Sequence, residues 1–223
     1  MTVLAALPDG VLLPHSALVI IDAQPDFMPG GPLACEQGDA IVDPITALVA
    51  RGGFTLVVAT QDWHPPHHVS FACEHPGCQP FETIEIAGHP QMLWPVHCVQ
   101  ESAGAALHPG LDASAIDLLV RKGQHRDTDA YSAFQDFSSV QGVMNTTGLV
   151  GCLHERGITD VYLCGLAREV CVLASAKDAV NAGFNTHFLW SLTRPVSSTT
   201  DQATYEHLQR LGVEIIGGPD IDS

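Results

Sequence analysis

The sequence predicts a three-layer α/β/α fold built around a six-stranded, mainly parallel sheet. Six short apolar runs have the continuous hydrophobic character of strands buried on both faces, and helical patterns separate most of them. The chain has 223 residues and contains no internal repeat, low-complexity linker or sharp change of composition. We therefore expect a single domain over residues 1–223 with a sizeable core.

The first half of the chain supplies three strands and a helix. Residues 17–22 (ALVIID) and 55–60 (TLVVAT) are continuous apolar runs, and residues 116–122 (IDLLVRK) form a third. Residues 39–52 place apolar side chains at helical spacing, which predicts a helix between the first two strands. Residues 61–110 are irregular and rich in proline, histidine and glycine, so we expect a long loop region there.

The second half of the chain alternates helices and strands. Apolar runs again mark the strands, and two of the helices end at a glycine, which is a common C-terminal stop. We therefore expect helices on both faces of the sheet. In chain order, the predicted elements are a helix over 146–156, a strand over 160–165, a helix over 169–183, a strand over 185–190, a helix over 199–212 and a strand over 213–216.

The composition excludes several classes of partner. The formal net charge is −16, and such a surface repels nucleic acid and anionic membranes. No apolar run approaches the roughly 20 residues that a membrane helix needs. The first residues lack the basic segment of a secretory signal, so we expect a cytoplasmic protein. The sequence leaves open whether the chain forms a homo-oligomer.

The cysteines fit a reducing compartment. There are seven of them, an odd number, and most are expected to remain thiols. Cys73 and Cys78 flank His75, which leaves a second metal site or a disulfide open. Because no second cysteine–histidine pair follows at zinc-site spacing, the thiol interpretation is favoured.

Side chains with catalytic chemistry follow four of the predicted strands. In an open parallel sheet, ligands bind outside the carboxyl ends of the strands. Random polar loops rarely give an acid, an acid–histidine pair, a lysine and a cysteine at these positions, so we predict a functional site at this edge. The residues are Asp22 after the first strand, Asp62 and His64 after the second, Lys122 at the third and Cys171 at the helix after the fourth.

Three of these residues have both a structural and a catalytic interpretation. Cys171 is either a core cysteine or a nucleophile at a helix N-terminus, which would lower the thiol pKa and offer N–H groups to an oxyanion. Asp22 is either a turn residue or a general base close to the thiol. Lys122 is either a surface lysine or a cation that holds the acid and the thiol ionised. Their convergence at one sheet edge favours the catalytic interpretation.

The segment ATQDWHPPHHVSF (59–71) is predicted to carry a metal. Asp62 and His64 need a third ligand, and His97 in LWPVHC could fold back over the same edge. Two histidines and one carboxylate leave open positions for water or substrate, and they suit zinc, iron or manganese. His67 and His68 are either further ligands or solvated loop residues, and the loop interpretation is favoured.

Five ordered motifs give the chain a family resemblance. From about residue 17 to residue 216, it resembles the nicotinamidases (pyrazinamidases) of the isochorismatase-like cysteine hydrolase superfamily. The WPVHC stretch favours the nicotinamidases, because other branches lack that metal histidine. The motifs are LVIIDAQPDFMPGGPLA (18–34), TQDWHPPHHVSF (60–71), LWPVHCVQ (93–100), RKGQHRDTDAYSAF (121–134) and GLAREVCV (165–172).

The resemblance implies an isochorismatase-like, Rossmann-like fold and an amidase reaction. Nicotinamide and water would give nicotinate and ammonia through a thioester, so the substrate would be a small, neutral aromatic amide. Asp22, Lys122 and Cys171 fall where the family has its catalytic triad. The backbone N–H groups of Ala167 and Cys171 fall where it has its oxyanion hole.

The resemblance also implies one divalent metal ion in the loop region, zinc or iron, with manganese as a third candidate. Asp62, His64 and His97 match the family's metal ligands, and the metal would bind the pyridine nitrogen. Ser70 matches a position that can hold a metal-bound water. The positions implied for substrate binding are Phe27 and Trp94, which would enclose the ring, and Tyr131, which would line the pocket.

One segment departs from the family pattern. The family commonly has Thr-Asp where this chain has Arg168 and Glu169. Arg168 could reach solvent, pair with an acid or enter the pocket, and entry would change the substrate preference. The segment SLTRPVSS (191–198) also differs from the family. Two other functions therefore stay open, hydrolysis of a carbamoyl or ureido substrate and non-catalytic metal binding by the same fold.

Overall fold

The protein is described by a computed structural model that covers residues 13–86, 88–136 and 145–218. Its strands and helices are β1 Leu13–Ile21, α1 Val42–Arg51, β2 Phe54–Asp62, β3 Thr83–Ile86, β4 His89–Met92, β5 Leu118–Lys122, α2 Leu149–Glu155, β6 Asp160–Leu166, α3 Leu173–Asn181, β7 Asn185–Arg194, α4 Asp201–Arg210 and β8 Glu214–Ile216. Within the described residues, six parallel strands form the main sheet in the order β5-β2-β1-β6-β7-β8, and β3 and β4 form an antiparallel hairpin.

Helices cover both faces of the sheet, which confirms the predicted three-layer arrangement. Successive side chains of a strand point to opposite faces, so β1 contributes to two cores. Leu18 and Ile20 belong to one buried cluster, together with Ile45 of α1. Val19 and Ile21 belong to the other, whose helical members include Leu153 of α2, Ala176 of α3 and Leu208 of α4.

The structure corrects the prediction in two places. The long loop region contains the β3–β4 hairpin, whose strands of four residues are too short and too exposed to give a clear apolar pattern. The helix predicted over 169–183 consists of two parts, a π-helical turn at Arg168–Val172 and then α3. Among the described residues, no helix has the length and apolarity required to span a membrane.

The central strands β1 and β6 approach each other closely at their carboxyl ends. Gly165 has φ of 110°, and a Cβ atom at this position would lie 2.0 Å from the carbonyl oxygen of Ile21. Only glycine fits such a conformation and such an approach. The chain segments that follow Ile21 and Leu166 therefore emerge side by side at this edge of the sheet.

Candidate active site and metal centre

Asp22 is held rigidly at the end of β1. Its φ is 48°, a left-handed conformation that is uncommon for residues other than glycine. The Thr60 hydroxyl donates to Asp22 Oδ1 at 2.6 Å and accepts the backbone N–H of Asp22 at 3.1 Å. Burial raises the pKa of Asp22, despite the opposing effect of the nearby Lys122 ammonium. The hydrogen bonds therefore fix the orientation of the carboxylate, and its raised pKa favours its accepting a proton.

Lys122 connects most of the predicted catalytic and metal-binding groups. It is the last residue of β5 and is 1% exposed. Its Nζ lies 2.8 Å from Asp22 Oδ2, 3.0 Å from Asp62 Oδ1 and 3.5 Å from Cys171 Sγ. Burial alone would lower the lysine pKa, but the two carboxylates raise it well above its usual value. The side chain is thus a buried, permanently charged ammonium.

Cys171 lies in the π-helical turn that precedes α3, and it is buried. If it is a nucleophile at a helix N-terminus, a lowered thiol pKa was expected. Burial raises that pKa well above its usual value, the charges of Asp22 and Asp62 add to the effect, and Lys122 only partly opposes it. The resting thiol is therefore protonated at neutral pH, and a base must remove its proton before it attacks a substrate.

The turn between β6 and α3 brings Ala167 and Cys171 to the same pocket. The peptide bond between Leu166 and Ala167 is cis. The carbonyl oxygen of Ala167 accepts the N–H groups of Val170 and Val172, both at 3.1 Å. The turn is closed on itself, with the nucleophile candidate and the predicted oxyanion-hole residue on one surface.

Asp62, His64 and His97 form a buried cluster that fits a metal ion. One potential ligand atom from each residue lies within 4.8 Å of the other two. Asp62 Oδ2 is 3.1 Å from His64 Nε2 and 3.4 Å from His97 Nε2. His64 and Lys122 hold the pKa of Asp62 well below its usual value although burial opposes this, so the carboxylate is ionised as a ligand must be.

The second ring nitrogen of each candidate ligand histidine is held by the backbone. His64 Nδ1 lies 3.1 Å from the carbonyl oxygen of Gly123, and His97 Nδ1 lies 2.8 Å from that of Pro95. Metal-ligating histidines usually donate their other ring N–H in this way, which fixes ring orientation. A Cβ atom at Gly123 would lie 2.6 Å from His64 Cε1, so the glycine makes room for the ring. Two imidazole nitrogens and one carboxylate suit a divalent transition metal such as zinc or iron.

His68 was predicted to be a solvated loop residue, and this is wrong. Its ring is buried 4.1 Å from that of His64, and burial lowers its pKa to about 4. Its Nδ1 lies 2.8 Å from Ser70 Oγ, so both residues lie next to the metal cluster. A second group of possible ligand atoms consists of His64, His68 and Asp129. His67, by contrast, is exposed as predicted.

The pocket beside the cluster encloses about 310 Å³, including space at its mouth. Its enclosed part is small, which suits a small ligand. Phe27, Trp94 and Tyr131 all line it, as predicted. Trp94 Nε1 donates to the Tyr131 hydroxyl at 3.1 Å, and the Phe27 ring packs edge-on against His97 at 5.6 Å.

Sequence reasoning missed several residues of the pocket wall. Asp129 lines the pocket, is buried and accepts the Gln91 side-chain N–H at 2.7 Å. It lies within the RKGQHRDTDAYSAF motif, so the motif included this residue, but no role was predicted for it. Val170 and Val196 also line the pocket, and they separate it from an apolar outer cavity of about 1,060 Å³. The outer cavity therefore adjoins the pocket.

Comparisons with known proteins find nicotinamidases and pyrazinamidases that are similar to this chain. The chain is 41% identical to the nicotinamidase of Acinetobacter baylyi over 208 residues, which cover 93% of this chain and 94% of that protein. The solved nicotinamidase/pyrazinamidase of Acinetobacter baumanii superposes with a TM-score of 0.84 at 42% identity and covers 91% of this chain and 95% of its own. The pyrazinamidase of Pyrococcus horikoshii, solved in complex with zinc, superposes with a TM-score of 0.72 at 32% identity. This match covers 91% of this chain and 99% of that chain.

A family model also matches almost the entire described chain. It is described as the isochorismatase domain, and the match runs over residues 16–220. That range includes both the strand-end residues Asp22, Lys122 and Cys171 and the metal cluster. With this extent of match and with relatives above 30% identity over nine-tenths of its length, the chain belongs to the isochorismatase family.

Proposed function

We propose that this protein is a nicotinamidase, an amidohydrolase that converts nicotinamide and water to nicotinate and ammonia through a cysteine thioester. One observation carries the proposal. The Lys122 ammonium contacts Asp22, Asp62 and Cys171, so a proton acceptor, a metal-ligand candidate and a thiol share one buried cation beside a small pocket. The sequence relatives and structural neighbours named above are nicotinamidases or pyrazinamidases.

The first half-reaction begins with a proton transfer. Because burial keeps the Cys171 thiol protonated, Asp22 must accept its proton as the sulfur attacks the carboxamide carbon. The raised pKa of Asp22 favours this transfer, and Lys122 stabilises the charge that moves between acid and thiol. The new oxyanion would be stabilised by the N–H groups of Ala167 and Cys171.

Ammonia then leaves, and Asp22 returns the proton to its nitrogen while the C–N bond breaks. The product of this step is a thioester between Cys171 and the nicotinoyl group. In the second half-reaction, Asp22 takes a proton from water as the water oxygen attacks the thioester carbon. Collapse of that intermediate breaks the C–S bond, and Cys171 leaves as a thiol with the proton from Asp22. Nicotinate is released.

Asp62, His64 and His97 would hold the divalent metal, which we expect to be zinc or iron. When bound, the metal supplies a Lewis acid for the pyridine nitrogen and so favours ring amides over aliphatic amides. Phe27 and Trp94 would contact the faces and edge of the ring and exclude water from it. Ser70 and Tyr131 would support this end of the pocket through His68 and Trp94, respectively.

The direct test is ammonia release from nicotinamide by the purified, reduced protein. We expect release that is lost in the Cys171→Ala variant and after the metal is removed by a chelator, and restored by added zinc or iron. A panel of ring amides, including pyrazinamide, then defines the specificity. Absence of release by metal-loaded protein, with turnover of a carbamoyl or ureido compound instead, would overturn the proposal.

A further inference from the structure

Arg168 follows the predicted oxyanion-hole residue Ala167 and lies three residues before Cys171. It is not among the described residues that line the pocket; its side chain runs instead towards β7 and α4, and only 6% of it is exposed. The guanidinium group stacks on the Trp190 ring at 4.1 Å. Its hydrogen bonds go to Thr193 Oγ1 at 2.8 Å, the Thr193 carbonyl at 2.8 Å, the Trp190 carbonyl at 3.3 Å and Asp201 Oδ1 at 2.7 Å.

This arrangement fixes orientation rather than merely filling space. A buried guanidinium is costly unless its donors are paired, and an apolar side chain of similar volume often gives equal or greater stability. Here the planar group is held by two elements at once, the end of β7 and the first turn of α4. Such a fork of charge-assisted hydrogen bonds defines position more narrowly than packing does. The backbone at Arg168 is therefore tied to two elements outside its own turn.

Glu169 anchors the same turn in another direction. Its carboxylate accepts the backbone N–H of Val196 at 3.0 and 3.2 Å and that of Ser197 at 3.2 Å. Two consecutive side chains thus hold the turn between β7, α4 and the segment after β7. The turn itself carries Cys171, and displacement of a reacting group by about 1 Å can cost on the order of 100-fold in rate.

We propose that Arg168 is a positioning residue for the nucleophile turn: through Thr193 and Asp201 it fixes where Cys171 and the N–H group of Ala167 lie relative to the substrate carbonyl. The inference rests on the proposed amidase function, whose ring-binding residues it leaves untouched. Arg168 therefore governs the turnover number and not the affinity for the ring.

The test compares Arg168→Met with Arg168→Lys and the unaltered protein. For Arg168→Met, we expect kcat for nicotinamide to fall about 10- to 100-fold, with KM, the inhibition constant of nicotinate and the metal content unchanged within about two-fold. The pH dependence of kcat should keep its shape, because position and not thiol ionisation has changed. Arg168→Lys, which keeps the charge and one donor, should recover part of the rate.

Arg121→Met is the matched control. Arg121 also stacks on a tryptophan, Trp63 at 3.9 Å, but it does not belong to the nucleophile turn. We expect its kcat to stay within about two-fold of the unaltered protein. Should Arg168→Met fail to fold, Asp201→Asn removes the negative charge beside the guanidinium at a partly exposed position and should lower kcat a few-fold in the same way.

The inference would be overturned if kcat of folded Arg168→Met were unchanged, if KM and nicotinate affinity changed as much as kcat, or if Arg121→Met lost as much activity. A substrate-independent readout separates this failure from failure of the proposed function. The rate at which iodoacetamide alkylates Cys171 should change in Arg168→Met and not in Arg121→Met, whether or not nicotinamide is the substrate. Equal alkylation rates in both variants would also overturn it.

Discussion

The two ends of the pocket are built in different ways. The nucleophile end, which consists of Asp22, Lys122 and Cys171 with Ala167, lies on strand ends and the turn that directly follows β6. Its residues inherit their positions from the hydrogen-bonded ladder of a parallel sheet. Only short backbone segments separate them from that ladder, and side-chain contacts of Arg168 and Glu169 anchor the turn that carries Cys171.

The ring end depends largely on the long loop region, residues 61–110, instead. We use the name ring end for the candidate metal cluster Asp62, His64 and His97 together with Phe27 and Trp94. Two of these lie outside the loops, since Asp62 ends β2 and Phe27 lies in a short turn after β1. The loop region is fixed by many separate hydrogen bonds, such as Trp94 N–H to the Ser70 carbonyl at 2.7 Å and Cys98 N–H to Asp26 Oδ2 at 2.7 Å.

The difference between the two ends separates the residues proposed for the chemical steps from those proposed to bind the ring. The nucleophile end contains the proton acceptor and the thiol, so changes there should act on kcat. The ring end contains the proposed metal ligands and the aromatic wall, so changes there should act on metal affinity and KM. The contact of 3.0 Å between Lys122 Nζ and Asp62 Oδ1 joins the two ends, and substitutions at this contact should affect both.

The largest expected effect is that of Cys171→Ala at the nucleophile end. Without a nucleophile no thioester forms, so kcat should fall by on the order of 10⁴-fold or more. Nicotinate binding, measured by calorimetry, should persist because the ring end is intact. Cys152→Ala, which removes a partly buried thiol from α2, is the matched control and should keep its activity. Loss of nicotinate binding in Cys171→Ala would contradict the separation of the two ends.

Lys122→Met tests the contact that joins the ends. It leaves the carboxylates of Asp22 and Asp62 buried without their shared cation, so we expect the free energy of unfolding to fall by about 3–5 kcal/mol in metal-free protein. Urea unfolding measures this loss, and added zinc should restore part of it, because a bound dication neutralises Asp62. Lys177→Met alters an exposed lysine and should change the stability by less than about 0.5 kcal/mol. Equal losses in both variants would show that Lys122 is not the joining group.

His97→Ala tests the ring end alone. Loss of one ligand should weaken metal binding by at least about 100-fold, since even groups that only orient a ligand typically contribute 10–100-fold. Competition with a chromophoric chelator measures this directly, without any assay of activity. His67→Ala, an exposed histidine of the same segment, should bind metal normally. Unchanged affinity in His97→Ala would instead favour the neighbouring group of His64, His68 and Asp129 as the metal site.

The same contrast explains what could be predicted from sequence. Asp22, Asp62 and Lys122 could be predicted because a continuous apolar run shows where a buried strand ends. Parallel strands bring those ends to one edge of the sheet. His97 and Phe27 have no such local signal, since no periodicity tells where a loop returns. Phe27 was assigned from the resemblance to known motifs, and the resemblance supported His97 after LWPVHC had offered it as a third ligand. The roles of both residues at the ring end remain predictions.

Burial explains the predictions that were wrong. His68 looks like a loop residue in sequence, but the loop folds inwards and covers its ring. A helix N-terminus was expected to lower the thiol pKa of Cys171, yet burial raises it. The direction of the Arg168 side chain could not be predicted from the sequence, because its partners Thr193 and Asp201 lie 25 and 33 positions away along the chain. Tertiary contacts of this kind are invisible to local patterns.

The smallest expected effect concerns the hydrogen bond between Trp94 and Tyr131 at the wall of the pocket. Trp94→Phe and Tyr131→Phe each remove one partner, and a double-mutant cycle isolates their coupling from the packing that each change also disturbs. A neutral hydrogen bond contributes about 0.5–1.5 kcal/mol, so we expect a coupling energy of this size when the cycle is measured on the KM for nicotinamide. It corresponds to a few-fold change in KM, and kcat should stay nearly constant. Both rings remain aromatic in all three variants, so the apolar wall is largely preserved. A coupling that appeared in kcat and not in KM would place these two residues at the nucleophile end, and the division of the pocket would have to be redrawn.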